Sequence, residues 1–430
     1  MTPPNITSHL NSLPGPDDIS RFELRNGLVL LTRPNFNSQS VVINGYIQCG
    51  SMYDPREKLG LAHFTSMSLM RGSTRRDFQQ TYDALESVGA SLGFSSSVHH
   101  TSFGGRCLSE DLPLLLEILS DSLRTPVFPD DQIERLRTQL LTGLAIRSQD
   151  TEEMASLTFD ETLFANHPYG LPEDGYVETI SQITPEDIRT FQKTAYHPVG
   201  MVLVVVGAID PKACFDMVCR VFDSWSVENT LPLKLFPTVM PLTKKVTRHI
   251  TIPGKSQTDI IIGTLGPKRN VPEYMAASLG NSILGQFGMM GRIGDVVREK
   301  SGLAYHASAS LNSWIEAGSW EVSAGVNPAN LKRTVDLVIQ ELKRFTSELV
   351  TAEELADSQA NFTGRLPLSL ESNGGVAGAL LNIERFQLGL DYYRRYADIV
   401  NSVTPELILE TARQYIHPDK VAVISAGPEK

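Results

Sequence analysis

The sequence is poor in the features that mark secreted and membrane proteins. It has four cysteines, Cys49, Cys107, Cys214 and Cys219, whose spacing matches neither a CxxC pair nor a zinc ribbon. No stretch approaches the ~18 uninterrupted apolar residues that a membrane-spanning helix needs. The N-terminal residues have neither the basic nor the apolar segment of a secretory signal. We therefore expect free thiols in a reducing compartment, and a cytoplasmic protein with no membrane partner.

Motifs of several common protein classes are also missing. The glycine-dense segment Gly285 to Gly291 lacks the Gly-Lys-Ser/Thr ending of a phosphate-binding loop. The G-x-S-x-G spacing occurs once, at Gly89 to Gly93, but it directly follows a predicted helix and therefore lacks the strand–turn–helix context of a nucleophile elbow. A hydrolase that uses unrelated residues is the last-ranked interpretation. The formal net charge of -11 argues against nucleic acid as a partner. With 430 residues, 41% of them hydrophobic, the chain is a globular protein with more than one core.

What the sequence does contain is an internal repeat. The Thr-Pro-Glu triplet that begins at Thr184 recurs at Thr404, and the His-Pro pair at His197 recurs at His417. The apolar run that ends at Gly207 recurs with its end at Gly427, and each pair is 220 residues apart. This common spacing indicates duplication of a module of about half the chain. The two threonines are predicted N-caps, each followed by proline at the first helical position.

The hydrophobic pattern predicts an α+β fold. The chain is expected to form two homologous lobes, each a largely antiparallel sheet with helices packed on it, joined by an extended linker. Asn26-Gly27 between two apolar runs predicts a hairpin. Strands are predicted at 41–49, 95–107, 257–265, 304–312 and 318–325. Helices are predicted at 59–71, 75–88, 109–124, 129–147, 271–285, 328–347 and 351–366. The predicted domains are an N-terminal lobe at 1–228, a proline-containing linker at 229–243, and a C-terminal lobe at 244–430.

The helix predicted near residue 60 resembles the inverted zinc motif H-x-x-E-H of the pitrilysin/insulinase (inverzincin) peptidases. In that motif, histidines at i and i+4 share a helical face and hold zinc, and a glutamate between them is the general base. Here the first histidine is His63, but the glutamate position is Ser66 and the second histidine position is Met67. A hydroxyl is a poor base, and a thioether is a poor zinc ligand.

The resemblance places the third zinc ligand on a later helix, where this chain has Gly143, and a supporting acid where it has Leu136. We therefore expect no zinc in this chain, and we interpret His63 as a capped or core histidine at the start of an apolar helix. His99 and His100 are the other pair of histidines that could be considered as metal ligands. As neighbours in a predicted strand they would point to opposite faces, so they are interpreted as structural or as a surface feature.

The second half of the chain carries another signature of this family. The segment from Gly291 to Tyr305 is similar to a signature of the same family: an arginine ending a helix, a Gly-Leu-Ala turn, and a tyrosine opening a strand. In active members this pair, here Arg298 and Tyr305, faces the zinc site across a closed chamber and binds the peptide near the scissile bond. Fixed N–H and O–H donors are what a developing oxyanion needs.

The resemblance implies a non-catalytic, substrate-binding subunit of a heterodimeric zinc metallopeptidase that cleaves peptides or small unfolded proteins. It implies zinc in a homologous partner subunit with an intact H-x-x-E-H motif, and no cofactor in this chain. Whether the chain counts as an enzyme is left open, because we expect it to be inactive alone. The alternative is a scaffold subunit resembling the core proteins of respiratory complexes, without proteolysis.

Overall fold

The structure, a computed structural model, describes residues 13–226, 236–286 and 291–429. Within these ranges the chain forms two β-sheets, of six and five strands, and fifteen α-helices. The α+β class predicted from the sequence is therefore confirmed. Among the same residues, no helix combines the length and the apolar character needed to cross a bilayer.

The first sheet has the strand order β1-β2-β6-β3-β5-β4. Its strands are β1 (Ser20–Glu23), β2 (Val29–Pro34), β3 (Ser40–Ile47), β4 (Ser91–Ser96), β5 (Thr101–Leu108) and β6 (Val202–Gly207). All pairs are antiparallel except β2 with β6. The helices of this half are α1 (Leu61–Ser68), α2 (Phe78–Ser87), α3 (Leu112–Arg124), α4 (Asp130–Arg147), α5 (Thr151–Leu163), α6 (Val177–Gln182), α7 (Pro185–Ala195) and α8 (Pro211–Phe222).

The second sheet repeats this plan in the order β7-β11-β8-β10-β9, with one parallel pair, β7 with β11. Its strands are β7 (Val246–Thr251), β8 (Thr258–Gly266), β9 (Ala304–Ser313), β10 (Gly318–Val326) and β11 (Ala422–Gly427). The helices are α9 (Tyr274–Gly285), α10 (Gly291–Gly294), α11 (Leu331–Phe345), α12 (Ala352–Ser369), α13 (Asn373–Phe386), α14 (Tyr392–Asn401) and α15 (Pro405–Tyr415).

Local sequence signals fix the ends of the repeated elements. The Thr184 side chain accepts a hydrogen bond from the backbone N–H of Asp187, and Thr404 accepts one from Leu407. Both threonines are therefore N-caps, as predicted, with proline at the first helical position. Gly27, in the hairpin between β1 and β2, has φ +84°, a conformation that favours glycine.

One predicted element is wrong. The strand predicted at 95–107 is a hairpin, in which β4 ends at Ser96 and β5 begins at Thr101. The connection is closed by a hydrogen bond from the Ser97 backbone N–H to the His100 carbonyl oxygen, 2.8 Å long. The sequence of the turn, Ser-Val-His-His, has neither glycine nor proline, so the usual turn signal is absent.

The chain folds into two compact units that are discontinuous in sequence. Among the described residues, one unit holds 13–144, 172–226 and 367–394, and the other holds 145–171, 236–286, 291–366 and 395–429. The sequence analysis predicted two lobes, at 1–228 and 244–430, each a continuous segment of the chain. Of the predicted linker, residues 229–235 lie outside the described residues.

Two helices account for the discontinuity. Helix α5 packs on β8 and β11 of the second sheet, and α13 packs on β3 and β6 of the first. Phe159 of α5 is 1% exposed, and a Cβ atom on Gly263 of β8 would lie 2.8 Å from its ring. A side chain at that strand position would therefore push α5 off the second sheet. In the other unit, Glu384 of α13 accepts hydrogen bonds of 3.0 and 2.8 Å from Arg21 of β1.

Candidate functional site

Helix α1, which carries the degenerate zinc motif, begins at a buried carboxylate. Asp54 is 8% exposed and accepts hydrogen bonds of 2.9 Å from the backbone N–H groups of Gly60 and Ala62. A carboxylate at a helix N-terminus satisfies donors that have no partner within the helix. Gly60 itself has φ +91°, and a Cβ atom there would lie 2.6 Å from Ile180. The helix start is thus defined by both an acid and a glycine.

The three motif positions on α1 have different surroundings. His63 is half-buried; burial lowers the pKa of its imidazole, while Asp174 opposes that shift. Ser66 is 1% exposed, and its hydroxyl donates a 2.8 Å hydrogen bond to the backbone carbonyl of His63. Met67 is 39% exposed. The hydroxyl at the general-base position is therefore engaged with the helix backbone and buried from solvent.

Helix α4 carries the fourth position, Gly143. It contacts α1 through the Arg137 guanidinium, 5.2 Å from the Phe64 ring, and it contacts the turn after α1 through a 3.2 Å hydrogen bond from Arg71 to Gln139. Gly143 lies one helical turn beyond Gln139 and is exposed. A Cβ atom on Gly143 would meet nothing within 4 Å. The position has room for a side chain, yet it has no donor atom of its own.

This donor set does not fit zinc. One imidazole, a hydroxyl already bonded to a backbone carbonyl, a thioether and a glycine supply one good ligand, whereas zinc sites use three or four nitrogen, sulfur or carboxylate donors. Among the described residues there is no group of three or more His, Cys, Asp or Glu side chains placed to hold a metal ion. We derive no catalytic step through a metal in this chain.

The His99-His100 pair lies in the turn between β4 and β5, not in a strand as predicted. The two rings are 5.9 Å apart between centroids, so the argument from opposite strand faces does not apply. His100 is 7% exposed and its ring meets the Tyr46 ring edge-on at 4.5 Å.

Arg298 lies in an unusual helical segment. Helix α10 continues into a π-helical stretch, Asp295–Glu299, in which the N–H of Lys300 donates to the carbonyl of Asp295 at 2.9 Å. Single π-helical turns are rare and frequently occur at functional sites. The turn that follows contains Gly302, which has a φ of +60° and precedes β9. Residues 287–290 of the glycine-dense loop before α10 lie outside the described residues.

The turn brings Arg298 and Tyr305 together. The Arg298 guanidinium carbon is 5.5 Å from the Tyr305 ring centroid, a cation–π distance. Tyr305 is 88% exposed, the most exposed of the large hydrophobic residues described, while Arg298 is 28% exposed and 3.4 Å from Glu299. The phenol hydroxyl is therefore directed to solvent and free to donate to an incoming ligand.

Sequence reasoning missed the ion pair that anchors this segment. Arg292 of α10 is 9% exposed and donates two hydrogen bonds, of 2.7 and 2.6 Å, to the Glu354 carboxylate. Glu354 also accepts from the backbone N–H of Thr351, in a Thr-x-x-Glu capping box at the start of α12. That box was the available sequence signal for Glu354. Arg292 fixes α10 six residues before Arg298, so it acts as a positioning residue.

Two family models match the chain. Residues 29–173 match the model described as Insulinase (Peptidase family M16), and residues 182–362 match the one described as Peptidase M16 inactive domain. Only residues 174–181 separate the two matches.

Known proteins of similar length align along most of the chain. An uncharacterized zinc protease from Streptomyces coelicolor is 24% identical over 405 residues, which is 93% of this chain and 87% of that protein. The mitochondrial-processing peptidase subunit beta of Saccharomyces cerevisiae is 25% identical over 371 residues, covering 82% of this chain and 79% of that protein.

A solved structure shares the fold. The peptidase M16 inactive domain from Pseudomonas fluorescens has a TM-score of 0.89 at 24% identity, and the match covers 96% of this chain and 99% of that one. Together with the two family models, these similarities show that the chain belongs to the pitrilysin/insulinase peptidase family, M16.

Proposed function

We propose that this chain is a non-catalytic, substrate-binding subunit of a heterodimeric zinc metallopeptidase that cleaves peptides or small unfolded proteins. The observation that carries the proposal is a contrast within one chain. The four positions of the zinc motif supply one good ligand, whereas Arg298 and Tyr305 lie together with the phenol exposed. A chain of this kind needs a partner that supplies the metal.

Arg298 and Tyr305 suit the binding of a peptide at the point of cleavage. Attack on a peptide carbonyl develops negative charge on its oxygen, and fixed donors stabilise that charge. The Tyr305 hydroxyl is a directional donor, and the Arg298 guanidinium has several N–H groups that bind backbone carbonyls. The π-helical turn and the ion pair between Arg292 and Glu354 hold Arg298 in place, so less conformational entropy is lost on binding.

The relatives support a role in proteolysis with a partner. The yeast relative is by name a subunit of the mitochondrial-processing peptidase, and the Streptomyces relative is by name a zinc protease. The partner we propose is a homologous chain of similar length with an intact H-x-x-E-H motif. The alternative is a scaffold subunit without proteolysis, in which Arg298 and Tyr305 have no catalytic role.

The test has two stages. First, the native protein is purified with its companions and these are identified by mass spectrometry; a chain with H-x-x-E-H is the expected companion. Second, cleavage of a fluorogenic peptide library is measured with each chain alone and with both. We expect hydrolysis only from the pair, and its loss with a chelator.

The possible outcomes separate the two functions. Chelator-sensitive cleavage by this chain alone would overturn the subunit proposal. A stable complex with a motif-bearing partner that cleaves no peptide or unfolded protein would favour the scaffold alternative. Cleavage by the pair that falls with Tyr305→Phe, while the complex stays assembled, supports the substrate-binding role.

A further inference from the structure

Arg385, on α13, is a half-buried arginine without a polar partner. Its Nε atom is buried, and no residue in the described part of the chain forms a hydrogen bond or ion pair with its guanidinium. Other arginines of limited exposure are paired: Arg292 with Glu354, Arg137 with Glu134, and Arg124 with the Val221 carbonyl. Burying a guanidinium without a counter-charge costs folding free energy. An arginine that is half-buried without a partner therefore points to an anion that binds it.

Two side chains that can donate hydrogen bonds, those of Tyr46 and His100, lie on one side of Arg385. Its guanidinium carbon lies 4.8 Å from the ring centroid of Tyr46 on β3, and that ring meets His100 at 4.5 Å. Both aromatic residues are buried, at 3% and 7% exposure. The adjacent carboxylate, Glu384, is bound by Arg21 through two hydrogen bonds and is therefore already neutralised. No hydrogen bond to the Tyr46 hydroxyl or the His100 ring occurs among the described residues.

The ionisation states favour an anionic ligand. Burial lowers the pKa of the Arg385 guanidinium, although Tyr46 opposes the shift. Burial, with smaller effects from Arg385 and His99, lowers the pKa of His100 to about 2, so its imidazole is neutral with one N–H. Burial raises the pKa of Tyr46 to about 12, which keeps its hydroxyl protonated. The cluster thus offers one cation and two neutral donors.

We infer that Arg385, with Tyr46 and His100, forms a carboxylate-binding site on the face of the first sheet that α13 covers. A planar carboxylate matches the guanidinium fork, and the hydroxyl and imidazole N–H can satisfy its remaining lone pairs. The ligand is a peptide carboxylate, either an acidic side chain or the C-terminus. The site rests on the proposed function only in taking a peptide as its ligand.

The test is peptide binding to the full chain alone, measured by fluorescence anisotropy. Four labelled decapeptides share one sequence and differ at two points: an internal Glu or Gln, and a free or amidated C-terminus. We expect at least one carboxylate to tighten binding about tenfold, and Arg385→Gln to remove that gain. Dependence on Glu assigns an acidic side chain, and dependence on the free C-terminus assigns the chain end.

Stability measurements distinguish a ligand site from a structural role. If Arg385 is held for a ligand, Arg385→Gln should leave the unfolding temperature equal or higher, because an unpaired half-buried charge is removed. Tyr46→Phe keeps the ring beneath the guanidinium and should weaken only the peptides with the preferred carboxylate. Equal binding of all four peptides, no binding of any, or an unchanged preference in folded Arg385→Gln would overturn the inference.

The partner is absent from this assay, so its result is independent of cleavage. Tyr305→Phe, tested beside Arg385→Gln, should leave the carboxylate preference intact. The absence of cleavage with the partner would therefore not contradict the carboxylate-binding site. Likewise, the absence of a carboxylate preference would not contradict the heterodimer proposal.

Discussion

Two short segments of this chain resemble in sequence the two parts of the family's peptidase site, and their side chains differ in exposure. In α1, Ser66 is 1% exposed and its hydroxyl is bonded to the helix backbone. At the start of β9, Tyr305 is 88% exposed. Of the four zinc-motif positions, Ser66 is buried and Gly143 has no side chain, while His63 is half-buried and Met67 is 39% exposed. The Arg298–Tyr305 segment instead keeps a large aromatic ring in water.

This difference in exposure helps to distinguish residues that stabilise the fold from residues that are available to bind a ligand. An exposed phenol contributes little apolar burial, so it adds little to the free energy of unfolding. An anchored arginine such as Arg292, bonded twice to Glu354 and 9% exposed, stabilises the fold. Variants in the two segments should therefore separate activity from stability.

The largest effect should come from Tyr305→Phe in the complex with the zinc-bearing partner. Loss of one fixed donor to a developing oxyanion typically lowers turnover by about a hundredfold to a thousandfold. Because Tyr305 is 88% exposed, the unfolding temperature of this chain should stay the same. The measurement is kcat for a fluorogenic peptide, together with a thermal unfolding scan.

A matched control for this change is Tyr82→Phe on α2, where the tyrosine is 36% exposed. It removes the same hydroxyl at a position without a proposed role, so turnover should stay as in the wild type. Equal turnover of wild type and Tyr305→Phe in an assembled, active complex would contradict the role given to Tyr305.

The second effect concerns stability. Burial alone would raise the pKa of the Glu354 carboxyl, but hydrogen bonds from Arg292 and Thr351 lower it from 4.5 to about 2. At 1.36 kcal/mol per pKa unit this corresponds to at most about 3 kcal/mol, and solvent contact of Glu354 reduces it to about 2 kcal/mol. Glu354→Gln should lower the free energy of unfolding by this amount at pH 7, measured by urea denaturation.

The sign of the pH dependence follows from the lowered pKa. The stabilising contribution of Glu354 is fully present above pH 4.5 and is lost as the pH falls towards about 2. The difference between wild type and Glu354→Gln should therefore shrink over that range. Glu353→Gln, an exposed acid in the same turn of α12, should show neither the loss at pH 7 nor this convergence. A constant difference from pH 7 to pH 2.5 would refute the ion-pair explanation.

Much of the fold could be predicted because local signals and tertiary packing agree. Thr184 and Thr404 begin helices as N-caps, and the common spacing of the repeats predicts two similar sheets. The sequence could not predict that α5 packs on the second sheet and α13 on the first. An amphipathic pattern indicates that a helix has a buried face, but not which of two similar sheets that face meets. The hairpin at 97–100 was missed because the turn lacks glycine and proline.

The candidate site was partly predictable for a different reason. Arg298 and Tyr305 lie seven residues apart across a short turn, so the sequence alone keeps them close. Arg385, Tyr46 and His100 are brought together by the packing of α13 on β3, across more than 280 residues of chain. No local pattern marks such a cluster. The missing hydrogen-bond partner that singles out Arg385 can be recognised only once the packing is known.

The smallest effect is a gain, obtained by restoring donors at the degenerate motif. Met67→His combined with Gly143→Glu would join His63 to give two imidazoles and a carboxylate, a donor set typical of catalytic zinc sites. Position 67 is 39% exposed, and a Cβ atom at Gly143 meets nothing within 4 Å, so both side chains fit without displacing the core. Ser66 is left unchanged, because a glutamate in its buried position would cost stability.

We expect the double variant to bind Zn²⁺ and to be stabilised by it, whereas the wild type is not. With free zinc at ten times the dissociation constant, the free energy of unfolding should rise by about 1.4 kcal/mol, seen as a higher unfolding temperature. Met67→His with Gly143→Gln is the matched control, since it keeps the shape and the helix propensity but removes the carboxylate. If wild type and double variant bind zinc equally, a second set of donors must exist. The contrast between the zinc-motif positions and the Arg298–Tyr305 segment would then be contradicted, because the fold would bind metal without the motif.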